Sequence, residues 1–222
     1  MKAIPLVIAT ALAATGCKGI FGPHIEGSGK PGTRTVTVGS GKTLSEFKKI
    51  ELDGAFDLEA KIGAQSDITV SGDDNLVNIV EFAMNGDTLV VKTSQNYSTH
   101  NPLKVSFTAP ELQALSLNGS GNAHIDGLKG EDVSLEINGS GSVIATGSAD
   151  KLTAAINGSG DMDLANLVAK QSATDISGSG SIKTNVTDSL TASLSGSGDI
   201  LYKGSPKNVA KSINGSGEVK PF

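Results

Sequence analysis

The sequence has one cysteine, no tryptophan and few aromatic or charged residues. Aromatic residues make up 4% and charged residues 18% of the 222 positions. A single cysteine excludes an intramolecular disulfide framework and a zinc site built from several cysteines. The formal net charge of −5 argues against a basic surface for nucleic acid. Hydrophobic residues, at 37%, argue against both a disordered chain and an integral membrane bundle.

The first 17 residues have the pattern of a secretory signal that ends in a cysteine. Lys2 supplies a positive charge, residues 4–14 are apolar, and small residues lead to Cys17. This apolar stretch is too short to span a bilayer. Residues 14–17, Ala-Thr-Gly-Cys, resemble the bacterial lipobox, in which the cysteine thiol receives a diacylglycerol and the chain is cut just before it. We therefore predict a lipoprotein signal peptide over residues 1–16 and lipidation at Cys17. The alternative is a general signal peptide with an incidental cysteine.

The residue after this cysteine bears on the destination of the protein. Lys18 stands where an aspartate is associated with retention in the inner membrane, which favours the outer membrane. Each buried methylene of a lipid contributes about 0.8 kcal/mol, so several acyl chains would hold a soluble domain to a bilayer. The membrane is therefore the predicted partner of Cys17, and the cell envelope is the predicted location.

Residues 17–46 are predicted to be the lipidated cysteine and a flexible tether. Gly27-Ser28-Gly29, Gly39-Ser40-Gly41 and two prolines fall in this stretch, and segments rich in glycine and serine behave as flexible spacers. Residues 39–43, Gly-Ser-Gly-Lys-Thr, resemble the end of a phosphate-binding loop. Val36 stands where that loop requires a glycine, so no nucleotide site is expected.

A tetrapeptide that ends in Gly-Ser-Gly recurs six times at nearly constant spacing. The successive spacings are 20, 19, 20, 18 and 19 residues. Runs with period-two alternation precede and follow each motif, which is typical of strands with one buried face. The repeats begin at Asn118, Asn138, Asn157, Ser177, Ser195 and Asn214.

One such repeat cannot enclose a core, but stacked repeats can pair each strand with its equivalent in the next coil. The predicted fold is therefore all-β, a single-stranded parallel β-helix or β-solenoid with about 19 residues per coil. Glycine suits the sharp, closely stacked corners, and the corner asparagines are expected to form a ladder of amide hydrogen bonds over the first three coils. The predicted corner residues are Asn118, Gly119, Gly121, Asn138, Gly139, Gly141, Asn157, Gly158, Gly160, Gly178, Gly180, Gly196, Gly198, Asn214, Gly215 and Gly217.

The β-helical domain is predicted to cover residues 47–222. Residues 113–222 contain the repeat coils, whereas residues 47–112 alternate without the corner motif and are expected to form about three broader coils of the same solenoid. Four lysines crowd the last coil, where charge would discourage another chain from adding to the open edge. These are Lys203, Lys207, Lys211 and Lys220.

The combination of features resembles a known family. A signal with a lipobox, the opening Phe47-Lys48-Lys49-Ile50-Glu51-Leu52-Asp53-Gly54 and the repeated Gly-Ser-Gly corners are similar to the bacterial head GIN domain family, which is described as the head of an auto-transporter adhesin. The resemblance covers about residues 47–222. It implies a β-helical domain outside the cytoplasm, often anchored by lipid, and it brings no established catalytic residues.

Parallel β-helices often carry polysaccharide-acting enzymes, which need paired carboxylates or a calcium cluster on one face. Asp199 and Glu218 are expected on neighbouring coils, and Asp163 shares an outward face with Asp161. We interpret the column of polar residues that directly follow the corners as a solvated polar face. The histidines are scattered along the sequence, so no metal, cofactor or enzymatic activity is expected. The column after the corners is Asn122, Ser142, Asp161, Ser181, Asp199 and Glu218, and the histidines are His24, His100 and His124.

Besides a polysaccharide-acting enzyme, which we favour less, two functional hypotheses remain. The first is a surface-anchored adhesion or binding module that uses flat strand faces to meet a glycan or an envelope protein. The second is a structural envelope lipoprotein without a ligand of its own. Tyr97 lies in the polar loop of residues 94–101 and is the candidate ligand contact outside the coils, although that loop is equally readable as a connector.

Overall fold

The computed structural model describes residues 24–39, 44 and 46–222. These residues form strands, turns and bends, with no helix among them. The strands are β1 (Ile25–Glu26), β2 (Pro31–Val36), β3 (Lys49–Asp53), β4 (Phe56–Ile62), β5 (Ile68–Asp73), β6 (Val80–Asn85), β7 (Thr88–Thr93), β8 (Tyr97–Ser98), β9 (Leu103–Ala109), β10 (Ala114–Gly119), β11 (Asn122–Gly139), β12 (Ser142–Gly158), β13 (Asp161–Gly178), β14 (Ser181–Gly196), β15 (Asp199–Gly204), β16 (Asn208–Gly215) and β17 (Val219–Pro221).

The repeat region winds into a parallel β-helix, which confirms the predicted fold. β11 to β14 each run from one Gly-Ser-Gly corner to the next, and each pairs in parallel with its successor. A second bend divides β11 near Gly127, where φ is +80° and the register with β12 shifts between Ile125 and Leu128. Each coil therefore places one straight face before the Gly-Ser-Gly corner and another after it.

Inward side chains of equivalent positions stack into buried columns along the solenoid axis. One column consists of large aliphatic residues, each at most 1% exposed. Full burial of such a side chain is worth about 1.5–3 kcal/mol, so every coil adds its own share to a continuous core. This column runs through Leu52, Leu117, Ile137, Ile156, Ile176 and Leu194.

The N-terminal part of the domain differs from the expected broader coils. β3 and β4 make one coil, because they pair in parallel with β10 and β11 on one side and with β7 and β9 on the other. β6 and β5 then pair antiparallel to β7 and β9. The expectation of about three coils over residues 47–112 is therefore wrong. Gly86, with φ +62°, and Asp87 make a two-residue connection between β6 and β7, and so short a connection joins antiparallel neighbours.

The predicted flexible tether is also wrong over part of its length. β1 pairs in parallel with β8, and all six residues of β2 pair antiparallel with β5. Val36 and Val38 are buried in the core. Residues 25–38 thus belong to the folded domain, since their alternating side chains and backbone groups complete the N-terminal end of the sheet.

Candidate binding surface

The corners of the repeat coils align in a single column. The register joins Gly119, Gly139, Gly158, Gly178, Gly196 and Gly215. Gly158 has φ +139°, and a Cβ there would lie 2.2 Å from the Gly139 carbonyl oxygen. A Cβ on Gly160 would lie 2.5 Å from the Gly141 oxygen and 2.8 Å from Ile137 Cγ2. Both glycines of a corner are therefore required by close stacking, and the first also by its backbone angle.

A ladder of side-chain amides runs beside the corner column. Asn157 Nδ2 donates to Asn138 Oδ1, and Asn138 Nδ2 donates to Asn118 Oδ1, each over 2.9 Å. Asn118 Nδ2 in turn donates to Asp53 Oδ1 over 2.7 Å, which carries the ladder back to the first coil. Ser177 follows at the next position, so the amide ladder spans three coils and ends on a carboxylate.

The ladder is the edge of a larger flat surface, which we name the ladder face. It consists of the outward side chains on the strand that precedes each corner, and parallel strands place them about 4.8 Å apart along the axis. The side chains are mostly small and polar. The three rows are Ala114, Ser134, Thr153, Ala173 and Thr191; Ser116, Glu136, Ala155, Asp175 and Ser193; and Asn118, Asn138, Asn157, Ser177 and Ser195. Sequence reasoning predicted only the third row, although the other two stand two and four places before each motif.

The polar column after the corners also forms a ladder. Ser142 Oγ donates to Asn122 Oδ1 over 2.7 Å, and Ser181 Oγ donates to Asp161 Oδ1 over 2.6 Å. Asp199 Oδ1 accepts from the backbone N–H of Glu218 over 2.9 Å. The Glu218 carboxylate binds Lys220 Nζ at 2.5 Å. Asp199 and Glu218 thus lie on neighbouring coils, but each carboxylate is bound by an N–H or ammonium donor and not paired with the other.

The remaining polar candidates do not converge on one site. His24 lies 3.2 Å from Ser98 Oγ, and His100 Nδ1 lies 3.1 Å from the Gly27 carbonyl oxygen, whereas His124 stands exposed on β11. Within the described ranges, no three His, Cys, Asp or Glu side chains are arranged to hold a metal ion. Two surface grooves have volumes of about 440 Å³, beside β2 and β5, and about 420 Å³, beside the second bends.

Tyr97, the candidate ligand contact in the loop of residues 94–101, makes contacts within the fold itself. It pairs with Ile25 in the short β1–β8 sheet, and its hydroxyl donates to the Ala55 carbonyl oxygen over 3.2 Å. Burial raises the pKa of the Tyr97 phenol. Its ring therefore fastens the loop to the first coil and leaves only part of its surface to meet a ligand.

The same loop is held by a buried carboxylate that sequence reasoning missed. Asp73 is fully buried and accepts hydrogen bonds from Thr99 Oγ1, the His100 N–H and the Asn101 side chain. Burial opposes ionisation, but these donated hydrogen bonds outweigh it and lower the pKa of Asp73 to about 2. Asp73 is thus an ionised anchor for residues 99–101.

Cys17, the predicted site of lipidation, lies outside the described residues. A search of the described part of the chain for a long apolar helix able to cross a bilayer finds none.

Similar solved structures share the architecture. A "putative adhesin" from Bacteroides fragilis is 26% identical, with a TM-score of 0.70 over 89% of this chain and 100% of that one. A "putative lipid binding protein" from Parabacteroides distasonis is 23% identical, with a TM-score of 0.53 over 90% and 100% of the two chains. A "putative adhesin" from Parabacteroides merdae is 22% identical, with a TM-score of 0.55 over 90% and 99%. The latter two support the fold alone.

The family assignment comes from the sequence of the coils themselves. No curated protein matches the chain. The family described as "Putative auto-transporter adhesin, head GIN domain" matches residues 46–206, which include the first coil and five of the six corners. The resemblance seen in the opening segment and the corner repeats is confirmed, and the chain belongs to the head GIN domain family.

Proposed function

We propose that this chain is a non-enzymatic binding or adhesion head of the bacterial cell envelope, and that the ladder face meets an extended polar partner. The observation that carries this proposal is the alignment of outward side chains in three straight rows. Hydroxyl, amide and carboxylate groups repeat there at the strand spacing of about 4.8 Å. Such a surface offers many weak, evenly spaced contacts to a glycan chain or to an envelope protein.

The rigidity of the ladder face supports a binding role. Its side chains are short, so little rotamer freedom is lost when a partner orders them. The amides of Asn118, Asn138 and Asn157 are already oriented by their mutual hydrogen bonds. A preorganised surface loses less entropy on association than a mobile loop does, which allows shallow contacts to add up over several coils.

Lipidation at Cys17 is part of the proposal and sets how the head is held. The first described strand begins at Ile25, and the seven residues 18–24 separate it from the cysteine. Seven extended residues reach at most about 25 Å. Tyr97 ties the β1–β8 sheet to Ala55 of the first coil. The first coil would therefore lie near the membrane, and the last coil would point away from it.

The proposal is tested by a binding screen with two matched double variants. The full chain is presented to arrays of purified polysaccharides and of envelope proteins. Thr153→Arg with Ala173→Arg places two arginines on neighbouring exposed positions of the ladder face. His124→Arg with Ile144→Arg does the same on the face after the corner. We expect reproducible binding that only the first pair abolishes.

Other outcomes would contradict the proposal in distinguishable ways. A blank screen with folded protein would favour a structural envelope lipoprotein without its own ligand. Equal loss of binding in both double variants would move the site away from the ladder face. Turnover of an acidic polysaccharide would replace the binding role by an enzymatic one.

A further inference from the structure

The last coil carries a lysine in a position that other coils fill with core residues. Lys211 pairs with Ala192 and continues an inward column in which every earlier member is buried. Its Nζ donates to the Val219 carbonyl oxygen on β17 over 2.6 Å and lies 5.5 Å from the centre of the Tyr202 ring. The column runs through Ile50, Leu115, Leu135, Ala154, Thr174, Ala192 and Lys211.

The opposite end of the solenoid repeats this arrangement with an arginine. Arg34 pairs with Val70 and heads an inward column of buried residues in the other sheet face. Its guanidinium donates from Nη2 to the Val80 carbonyl oxygen over 2.7 Å and lies 5.5 Å from the centre of the Phe82 ring. The column runs through Arg34, Val70, Val105, Leu58, Ala123, Val143, Met162, Ile182, Ile200 and Val219.

The two ends therefore share one design. At each end a cation on the edge strand of one face reaches across and donates to a backbone carbonyl on the edge strand of the other face. At the N-terminal end, Arg34 Nη1 also donates to the Asn78 carbonyl oxygen over 3.3 Å, in the segment that joins β5 to β6. At each end an aromatic ring lies beneath the cation, as in cation–π pairs. The other three lysines of the last coil are engaged elsewhere. Lys203 Nζ lies 5.9 Å from the centre of the Phe222 ring. Lys207 binds Asp188, and Lys220 binds Glu218.

The burial of the Arg34 guanidinium is unfavourable for the stability of the fold. Burial lowers the pKa of its guanidinium, and its Nε is buried without a hydrogen-bond partner among the described residues. A buried, unsatisfied donor is unfavourable. An apolar residue at position 34 would extend this buried column more favourably, so stability alone does not explain the charge.

The strands around Arg34 and Lys211 have unpaired edges. Among the described residues, β16 pairs with β14 alone and is exposed along its whole length, with Val209 36% and Ile213 47% exposed. In the described part of the chain, β2 and β6 likewise have one paired edge each. Open edges beside an apolar core are templates for another chain, and head-to-tail stacking of solenoids would grow into open filaments.

We propose that Arg34 and Lys211 are end plugs that prevent a second copy of this chain from stacking on either end. Stacking the last coil of one copy on the N-terminal end of the next would bring the two cations into one core, and neither inward column supplies a carboxylate to pair with them. Burial of unpaired charge is strongly unfavourable. The head therefore acts as a single solenoid, and partners are confined to its sides.

The test uses the full chain with Cys17→Ser as a common background, so that no lipid drives association. Lys211→Leu alone and together with Arg34→Leu are compared with this parent by light scattering coupled to size-exclusion chromatography, over a hundredfold range of protein concentration. We expect a monomeric parent, at least a doubling of the weight-average mass for Lys211→Leu, and larger, growing species for the double variant.

Two control variants separate the plug from a general effect of lost charge. Lys207→Leu adds the same apolar side chain on the same coil but outside the inward column, and should remain monomeric. Lys211→Arg keeps the cation and should also remain monomeric. Circular dichroism establishes that each variant is folded, and Lys211→Gln, which removes the charge at similar length, replaces Lys211→Leu if that variant does not fold. The proposal is overturned if the folded Lys211 and double variants stay monomeric, or if Lys207→Leu associates as strongly as Lys211→Leu.

Discussion

Replacement of Gly158 by alanine should destabilise the solenoid strongly, because this corner has no room for a single methyl group. The added Cβ would lie 2.2 Å from the carbonyl oxygen of Gly139 in the coil below. That oxygen accepts a hydrogen bond from the Ser159 N–H over 2.9 Å, so it cannot move away without loss of a contact between coils. The φ of +139° is also one that alanine rarely adopts.

The magnitude follows from these two effects. A non-glycine residue in a sparsely populated backbone region costs about 1–3 kcal/mol. Forcing an extra methyl into a packed site costs about 1–3 kcal/mol more. For a chain of this size, 1 kcal/mol lowers the melting temperature by about 2–4 °C. We therefore expect Gly158→Ala to lose about 2–6 kcal/mol of unfolding free energy and to melt about 4–24 °C lower.

Gly130→Ala is the matched control, since Gly130 lies in β11 of the same repeat region. Its φ is not positive, and a Cβ there would lie 3.4 Å from Val133 Cγ2, which is ordinary contact. This change should be neutral or stabilising by up to about 1 kcal/mol, because alanine restricts the unfolded chain. Gly27 would be a poor control despite its place in a Gly-Ser-Gly segment, since a Cβ there would lie 2.0 Å from Asp73 Oδ2.

Thermal and urea unfolding, followed by the β-sheet circular dichroism signal, measure both variants in one buffer. Equal melting temperatures for Gly158→Ala and Gly130→Ala would refute the explanation by stacked corners. A large loss in both variants would also contradict it, because it would show that any added methyl group disturbs the coils.

Three further changes have defined outcomes. Cys17→Ser should move the protein from the membrane fraction to the soluble fraction, and continued membrane fractionation would contradict lipidation. Asp73→Asn should flatten the acid dependence of stability: the folded pKa of about 2 lies below the unfolded value of about 3.9, so the contribution of Asp73 is present above about pH 5 and lost as the pH falls towards 2. Urea unfolding at a series of pH values measures this, and a parallel acid profile in the variant would exclude Asp73 as the cause. Asn138→Ala should cost about 1–2 kcal/mol, since it breaks two ladder hydrogen bonds, whereas Ser195→Ala should cost close to nothing in the same assay.

The repeat coils could be predicted from the sequence because each of their constraints is local. A corner that stacks on an identical corner requires glycine in every coil. The alternating runs between the corners indicate which side chains face inward. The amide ladder followed from the same alignment of Asn118, Asn138 and Asn157. None of these inferences required knowledge of a contact between residues that are unrelated by the repeat.

The N-terminal end could not be predicted in the same way, because alternation does not reveal strand direction. The signal that separates β6 and β7 from a coil is the length of their connection, two residues at Gly86 and Asp87, and it is weaker than a sixfold repeat. Asp73 was missed for another reason. Its donors, Thr99 to Asn101, are 26–28 residues away, and tertiary folding alone brings them together.

Glycine is common both in flexible spacers and where packed backbones approach closely, and composition alone does not distinguish these two roles. Gly27, Gly29, Gly39 and Gly41 made residues 17–46 look like a flexible spacer. In the fold, a Cβ on Gly32 would lie 2.5 Å from the Asp74 Cα, and one on Gly27 would meet the Asp73 carboxylate. These glycines permit close approach of packed backbone, as do those of the corners, so residues 25–38 of the predicted tether are part of the domain.

The corner glycines also explain how the ladder face can vary without loss of the fold. A slip of one residue between strands would turn every outward side chain inward, and the glycine column fixes the register against such a slip. Outside the amide ladder, the outward rows do not contribute to the buried columns, so substitutions there are expected to cost little stability. A relative that is 26% identical retains the architecture with a TM-score of 0.70, which agrees with a scaffold held by its corners and inward columns. The chemistry of the ladder face, and with it the partner that we propose for it, is then free to differ between heads that share one core.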